Sequence, residues 1–220
     1  MSIFTLYAVT GIILVILGFS YHESNVFNGL TVVGLCILLG VAVKTMDQLI
    51  DEIKHRSSKI LIVPLGIFIP TAMAYLALTE EPVVGMVLGT VIGLLIAGKL
   101  DHPMYIVSVL LFIVLVFIAY MMHIITIEAT TFYIIPVAAM GSFLDEFGHD
   151  RFNDRKIAIF VFKHRFFLKI FAFLGFILGF AQLAHLIGFL CFDIFYDLVD
   201  IAWQRHTTGK KFMLNVSMGD

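Results

Sequence analysis

Acidic residues follow the apolar stretches of this sequence at spacings that suit metal or phosphate chemistry. Asp47 and Asp51 are four residues apart, and so are Glu146 and Asp150. Residues three or four apart share one face of a helix, so each pair predicts two carboxylates side by side at a helix end. Clustered carboxylates repel one another unless protons or a cation compensate them. A set of oxygen ligands with few histidines is typical of Mg²⁺, Mn²⁺ or Ca²⁺ sites.

A third acidic group lies inside an apolar run. Asp193, Asp197 and Asp200 follow one another at i, i+4 and i+7, which places them in a single stripe on a helix. A carboxylate at membrane depth costs about 2.5–3.5 kcal/mol on insertion scales, and it usually faces a bundle interior or a water-filled cavity. We therefore expect six residues to hold a metal or substrate: Asp47, Asp51, Glu146, Asp150, Asp193 and Asp197.

The same helix ends carry bases that can hold phosphate oxygens. These bases are Lys44, Lys99, Arg151, Arg155 and Arg165, and the further candidates for substrate contacts are Asp101, Asp145, His149 and Asp200. Two acidic clusters, a metal and adjacent bases at a membrane surface fit a lipid diphosphate whose apolar tail lies between helices. A divalent metal would neutralise the developing charge on the leaving diphosphate. Asp101, which comes just before Pro103, is also expected to cap the next helix.

The elements that must position these residues are membrane helices. Hydrophobic residues make up 60% of the chain and charged residues 14%, and the mean hydropathy is +1.03. Soluble domains have about 45–50% apolar and about 25% charged residues. This composition excludes an ordinary soluble enzyme, a disordered tail and a nucleic-acid-binding module. Cys36 and Cys191 both lie in apolar runs, so neither a disulfide framework nor a zinc site is indicated.

Eight stretches have the length and composition of membrane-spanning helices. The predicted spans are residues 3–20, 26–43, 60–79, 82–98, 104–123, 129–144, 170–187 and 188–204. His185 and Gly188 are expected to mark a tight turn between the last two spans, and one long helix, giving seven spans, is the alternative. We predict one all-α polytopic membrane domain over residues 1–220.

The basic residues predict the orientation. In the eight-span arrangement all 14 lysines and arginines fall on one side, and the opposite loops contain glutamates but neither lysine nor arginine. Because basic residues mark the cytoplasmic side, we expect a multi-pass protein of the cell membrane with both termini in the cytoplasm. Residues 151–169 are too charged to span and mix bases with phenylalanines, which is typical of an interfacial segment.

This layout resembles that of the UbiA-superfamily intramembrane prenyltransferases. Those enzymes are all-helical and have aspartate-rich motifs, of the types NDxxDxxxD and DxxxD, at the cytoplasmic ends of helices 2 and 6. Here DQLID (residues 47–51) ends span 2 and EFGHD (residues 146–150) ends span 6. The resemblance implies that Asp47, Asp51, Glu146 and Asp150 hold Mg²⁺ and an isoprenoid diphosphate, and that the reaction is prenyl transfer.

The sequence departs from that family at several points. No asparagine–aspartate pair precedes Asp51, the second motif begins with glutamate, and eight spans are predicted instead of the usual nine. The acidic stripe of the last span has no counterpart in the family pattern. The catalytic residues themselves stay unassigned.

Other functions stay open beside this one. A cation transporter or channel could use the acidic residues as an ion path, although the carboxylates stop about halfway across the predicted spans. A membrane metallohydrolase could use His149 and His164, although the sequence contains no HExxH motif. A structural subunit whose acidic face docks a basic partner is a further alternative. The expected partners are a membrane lipid or isoprenoid and the bilayer, with no nucleic acid.

Glycines in the fourth predicted span give a packing signal. Gly85, Gly89 and Gly93 repeat every four residues. This spacing of small residues lets two helices approach closely. The partner helix is either in the same chain or in a second copy, so a homo-oligomer is a further expectation.

Overall fold

A computed structural model describes residues 26–51, 58–151 and 165–217, and in this part of the chain the regular structure is helical. Its helices are α1 (Val26–Asp51), α2 (Ser58–Thr79), α3 (Glu81–Ile96), α4 (Pro103–Met121), α5 (Ala129–Arg151), α6 (Phe166–Ile177) and α7 (Leu183–Ser217). Three segments are long and apolar enough to cross a membrane, which indicates a membrane protein: Thr31–Asp51, Ile60–Thr79 and Pro103–Met121. The predicted span 3–20 lies outside the described residues.

The helices form parallel pairs that are joined into a ring of contacts. α1 packs on α7, α2 on α4 and α3 on α5, and each pair runs in parallel. Further contacts join α1 to α2, α2 to α3, α5 to α6 and α6 to α7. The C-terminal ends of α1, α3 and α5 therefore lie together with the N-terminal ends of α2, α4 and α6. We call this the acidic end, because the candidate carboxylates lie there.

Glycines allow a close helix contact between α3 and α5. A Cβ atom added to Gly89 would lie 2.4 Å from the carbonyl oxygen of Ile135, and one added to Gly93 would lie 2.5 Å from that of Ala139. Only a hydrogen in place of a side chain allows backbones to approach so closely. The glycine repeat therefore packs two helices of one chain against each other.

The turn between α6 and α7 lies before the predicted position. Gly179 has φ +77°, its N–H donates to Phe176, and the N–H of Phe180 donates to Gly175 at 2.9 Å. This left-handed glycine cap ends α6, because other residue types rarely adopt that conformation. The prediction of a turn at His185 and Gly188 is wrong, and so is the alternative of one long helix. Gly188 lies inside α7, where an added Cβ would lie 3.1 Å from the sulfur of Cys36.

Helix α6 is short and begins inside the segment predicted to be interfacial. Its 12 residues extend about 18 Å. The last residues of that segment, Phe166 to Lys169, form the first turn of α6. Residues 152–164 of that segment lie outside the described residues.

We expect Gly89→Ala to destabilise the protein, because the new methyl group forces α3 and α5 apart. Overpacking of this kind costs about 1–3 kcal/mol. Thermal unfolding in detergent, followed by a thiol-reactive dye that reports exposure of the buried Cys191, measures the effect.

Gly34→Ala is the matched control for this prediction. It lies in helix α1, and nothing is within 4 Å of its added Cβ, so its unfolding midpoint should stay equal or rise. Equal midpoints for the two variants would contradict the close packing of α3 on α5.

Candidate functional site

One polar network joins α1 to α7 at the acidic end. The Nζ atom of Lys44 lies 3.0 Å from Oδ2 of Asp47 and 3.3 Å from Oδ1 of Asp200. All three side chains are largely buried in the described structure. A single ammonium group therefore pairs with two carboxylates from different helices, and we call this group the Lys44 network.

Hydroxyl and amide groups complete the Lys44 network. Tyr105 donates to Oδ1 of Asp47 at 2.7 Å, and Tyr196 donates to its Oδ2 at 3.2 Å. Gln48 and Gln204 donate to the two oxygens of Asp200, each at 2.8 Å. Both carboxylates are thus hydrogen-bonded on both oxygens, in addition to their pairing with the ammonium group.

Asp145, at the acidic end of α5, binds the first turn of α6. Its two oxygens accept the backbone N–H groups of Phe167 and Leu168 at 3.0 and 2.8 Å. Helices leave their first N–H groups without partners inside the helix, and a carboxylate there satisfies two of them with charge-assisted bonds. Asp145 is 3% exposed, so this cap replaces water at a buried helix start.

A buried ion pair connects α6 to α7 next to this cap. The ammonium group of Lys169 contacts Oδ2 of Asp193, and Asp193 is only 1% exposed. A buried charge is costly unless an opposite charge lies against it. Lys169 therefore stabilises the deepest carboxylate of the acidic stripe.

Arg165 links the two groups of polar side chains. It precedes α6 with φ +48°, and its guanidinium lies 4.2 Å from the ring centre of Tyr196. It is also close enough to interact electrostatically with Asp193, Glu146 and Asp197. We call Asp145, Glu146, Arg165, Lys169, Asp193 and Asp197 the Arg165 network.

A small cavity lies beside Arg165. It has about 20 Å³ of space, enough for one water molecule, and is lined by Thr90, Leu94, Ser142, Asp145, Glu146, Arg165 and Leu168. Its polar lining comes from α3, α5 and the start of α6. Nearby, Nζ of Lys99 lies 3.9 Å from Oε2 of Glu146.

The remaining predicted site residues lie at the rim. Asp51, Asp101, His149 and Arg151 are all exposed. The guanidinium of Arg151 lies 5.6 Å from the ring centre of Phe147. The side chain of Asp150, and Arg155 as a whole, lie outside the described part of the structure.

The expectation that Asp101 caps the next helix is wrong. The residue after it, His102, caps α4 instead, and its Nδ1 accepts the N–H of Met104 at 3.2 Å. Asp101 is left at the rim of the acidic end.

Ionisable side chains also meet at the opposite end of α7. Nε2 of His185 lies 2.7 Å from Oε2 of Glu80, in the turn between α2 and α3. Nδ1 of His185 accepts the N–H of Gln182 at 3.1 Å, so Nε2 is the atom that donates to the carboxylate. His185 is 5% exposed.

The carboxylates of the two networks are compensated mainly by bases. In residues 26–51, 58–151 and 165–217, no three histidine, cysteine, aspartate or glutamate side chains come together as metal ligands. A Mg²⁺ ion at this end would need substrate oxygens and water to complete its coordination, which is the way proteins usually hold it.

Sequence reasoning missed five polar residues of the networks: Gln48, Tyr105, Lys169, Tyr196 and Gln204. Tyr196 has a recognisable signal, because it lies three residues after Asp193 and four before Asp200, on the acidic stripe itself. Lys169 is a lone base in the apolar run FFLKIF. Tyr105 carries no such signal, because its role depends on the packing of α4 beside α1.

The sequence matches no known protein-family model, and no curated protein or solved structure matches it. The function therefore has to be inferred from the chemistry of the acidic end itself.

We expect Lys169→Met and Asp193→Leu to be strongly destabilising as single changes, because each leaves a buried charge without its partner. Removing one partner of a buried ion pair lowers the free energy of unfolding by about 3–5 kcal/mol. The double variant should recover most of this loss, because two apolar side chains replace the pair. Thermal unfolding of the three variants in detergent measures the effect.

The exposed Glu128→Gln serves as a control on the other side of the bundle and should match the parent. A double variant as unstable as the two single losses added together would contradict a direct pairing of Lys169 with Asp193.

Proposed function

We propose that this protein is a polytopic membrane enzyme that binds a lipid diphosphate with Mg²⁺ at the acidic end of the bundle, and that prenyl transfer is its reaction. The observation that carries the proposal is the meeting of carboxylates and bases from α1, α5, α6, α7 and the segment between α3 and α4 at one end of an apolar bundle. A polar site beneath an apolar helix wall suits a ligand with a charged head and a long apolar tail.

The proposed orientation places the acidic end in the cytoplasm. It rests on eight spans with both termini on that side, in the cell membrane, as the lysine and arginine distribution predicts. The segments assigned to this side contain 14 basic and 12 acidic residues, whereas the opposite side has four glutamates and no base. An anionic headgroup is therefore favoured on the proposed cytoplasmic side.

The proposed metal position is the end of α1. Asp51 lies one helical turn beyond Asp47, and its side chain is exposed at the rim. One or two carboxylates together with diphosphate oxygens are a usual set of Mg²⁺ ligands, and Mn²⁺ is an alternative. The metal would stabilise the charge that develops on the leaving diphosphate.

The isoprenoid character of the substrate rests on the resemblance to the UbiA superfamily. That resemblance puts the DQLID segment at residues 47–51 and the EFGHD segment at residues 146–150 into the metal-binding roles. Glu146 lies near Lys99 and Arg165, so these bases are proposed to contact phosphate oxygens on that side of the site.

We expect Mg²⁺ to bind the purified protein more tightly in the presence of geranylgeranyl diphosphate, because the diphosphate supplies ligands that the chain lacks. Calorimetric titration in detergent, with and without the diphosphate, measures the difference. Asp51→Asn should weaken Mg²⁺ binding at least tenfold.

The exposed Glu128→Gln, on the opposite side, should leave Mg²⁺ binding unchanged. If the diphosphate has no effect on Mg²⁺ affinity, the lipid-diphosphate proposal is wrong.

A second candidate, a cation transporter, is favoured by the ionisable residues of α7. His185 and Asp193 are both buried, and each contacts an ionisable side chain: Glu80 for His185 and Lys169 for Asp193. The two residues are eight positions, or about 12 Å, apart along α7. The apolar segment between them is much shorter than the roughly 30 Å thickness of a bilayer core. Buried ionisable groups within membrane helices commonly mark proton or ion pathways.

If transport is the function, vesicles that contain the protein should dissipate an imposed pH gradient faster than empty vesicles. An entrapped pH-sensitive dye reports the rate. Asp193→Asn should abolish the difference and Glu128→Gln should preserve it. Equal rates for loaded and empty vesicles would exclude proton transport.

A further inference from the structure

A cationic group from α1 and another from the residue before α6 lie against one aromatic ring. Nζ of Lys44 is 4.9 Å from the ring centre of Tyr196, and Cζ of Arg165 is 4.2 Å from the same centre. The two charged groups can be no farther apart than these distances together, about 9 Å. Like charges repel at this distance, and the electron-rich face of the ring offsets part of that repulsion.

The ring of Tyr196 is itself held in place. Its hydroxyl donates to Asp47 at 3.2 Å, and the ring stacks on Phe192, one turn earlier in α7, with centres 6.3 Å apart. An aromatic side chain fixed at both its edge and its face can hold two flexible bases in a constant arrangement.

Lys44 is not the only donor to its two carboxylates. Without the ammonium group, Asp200 still accepts hydrogen bonds from Gln48 and Gln204, and Asp47 still accepts one from Tyr105. Neither carboxylate would be left buried without a donor, which is the outcome that makes breaking an ion pair expensive. Lys44 is therefore able to turn from its carboxylates toward an incoming anion.

We propose that Lys44 and Arg165 form a two-cation site that takes one phosphate each of a diphosphate, and that Tyr196 is the residue that positions them. The proposal rests on the proposed function and adds the residues that select a diphosphate over a monophosphate. Arg165 offers a planar fork that matches phosphate oxygens, and Lys44 supplies a compact point charge. A diphosphate offers one phosphate group to each cation, whereas a monophosphate has a single group to share between them.

The test compares the affinity of the detergent-purified protein for inorganic pyrophosphate and inorganic phosphate, both with Mg²⁺ present. The parent should bind pyrophosphate at least tenfold more tightly than phosphate. Tyr196→Phe keeps the ring and should preserve this ratio within about twofold. Tyr196→Leu removes the ring and should bring the ratio close to one.

A merely structural role of Tyr196 would weaken both ligands equally and leave the ratio unchanged, and that result would overturn the proposal. Lys44→Met removes one cation and leaves the ring of Tyr196 in place. It should also bring the ratio of pyrophosphate to phosphate affinity close to one. It carries the test if Tyr196→Leu does not fold. A Lys44→Met variant with the parental ratio would likewise overturn the two-cation site.

The failure of the two-cation site is distinguishable from the failure of the proposed function. One outcome is that the unsubstituted protein binds geranylgeranyl diphosphate with Mg²⁺ without preferring pyrophosphate to phosphate. That result would exclude the two-cation site and leave the proposed function standing. A parent that binds neither geranylgeranyl diphosphate nor pyrophosphate excludes both.

Discussion

A carboxylate enclosed by apolar helices is tolerated only beside a cation or hydrogen-bond donors, and the packing at the acidic end follows from this requirement. Asp193 needs Lys169, so α6 has to lie against α7. Asp145 satisfies the first turn of α6, so α5 has to lie against α6. Asp47 and Asp200 share Lys44, which joins α1 to α7. The charges that could serve chemistry thus also fix the neighbours of each helix, because leaving any one of them unpaired costs several kcal/mol.

Apolar packing between the helices places these charged residues at the same height along the bundle. Gly89 and Gly93 let the backbones of α3 and α5 touch, and Gly40 does the same where α1 meets α7 at Phe192. These contacts fix how far each helix slides along its partner. The position of Glu146 beside Lys99, and of Lys44 beside Asp200, depends on that alignment.

The sequence was sufficient to predict the helices that are marked by local sequence signals. Apolar runs of about 20 residues predicted the ends of α2 and α4 to within about two residues, whereas α1 continues past the predicted end at residue 43 to Asp51. The four-residue spacing of Gly85, Gly89 and Gly93 predicted the correct kind of helix contact. The last two predicted spans show the limit. His185 and Gly188 look like turn residues when only neighbours in the chain are considered, but Gly179 adopts the left-handed conformation that ends a helix.

The location of the candidate site was predictable from the sequence, but the contacts between its side chains were much less so. Spacing along a helix places Asp193, Asp197 and Asp200 on one face, but it cannot say which base will face them. Tyr105 is 58 residues from Asp47 in the chain, and Lys169 lies on the helix before α7, so both roles arise from tertiary packing. The same holds for Asp145, whose partners are backbone N–H groups that carry no sequence signal.

The short length of α6 has a consequence for the electrical environment of the site. α6 spans about 18 Å from the turn that precedes α7, whereas α2 spans about 33 Å, and both end near the Glu80–His185 contact. The start of α6, with Arg165 and the cap from Asp145, therefore lies roughly 10 to 15 Å below the acidic end of α2. Under the proposed orientation in a bilayer about 30 Å thick, a depth of this size would correspond to between a third and a half of the voltage drop. A charged ligand that reaches Arg165 would gain or lose about 1 kcal/mol per unit charge for each 100 mV, so the membrane potential would influence occupancy of the site.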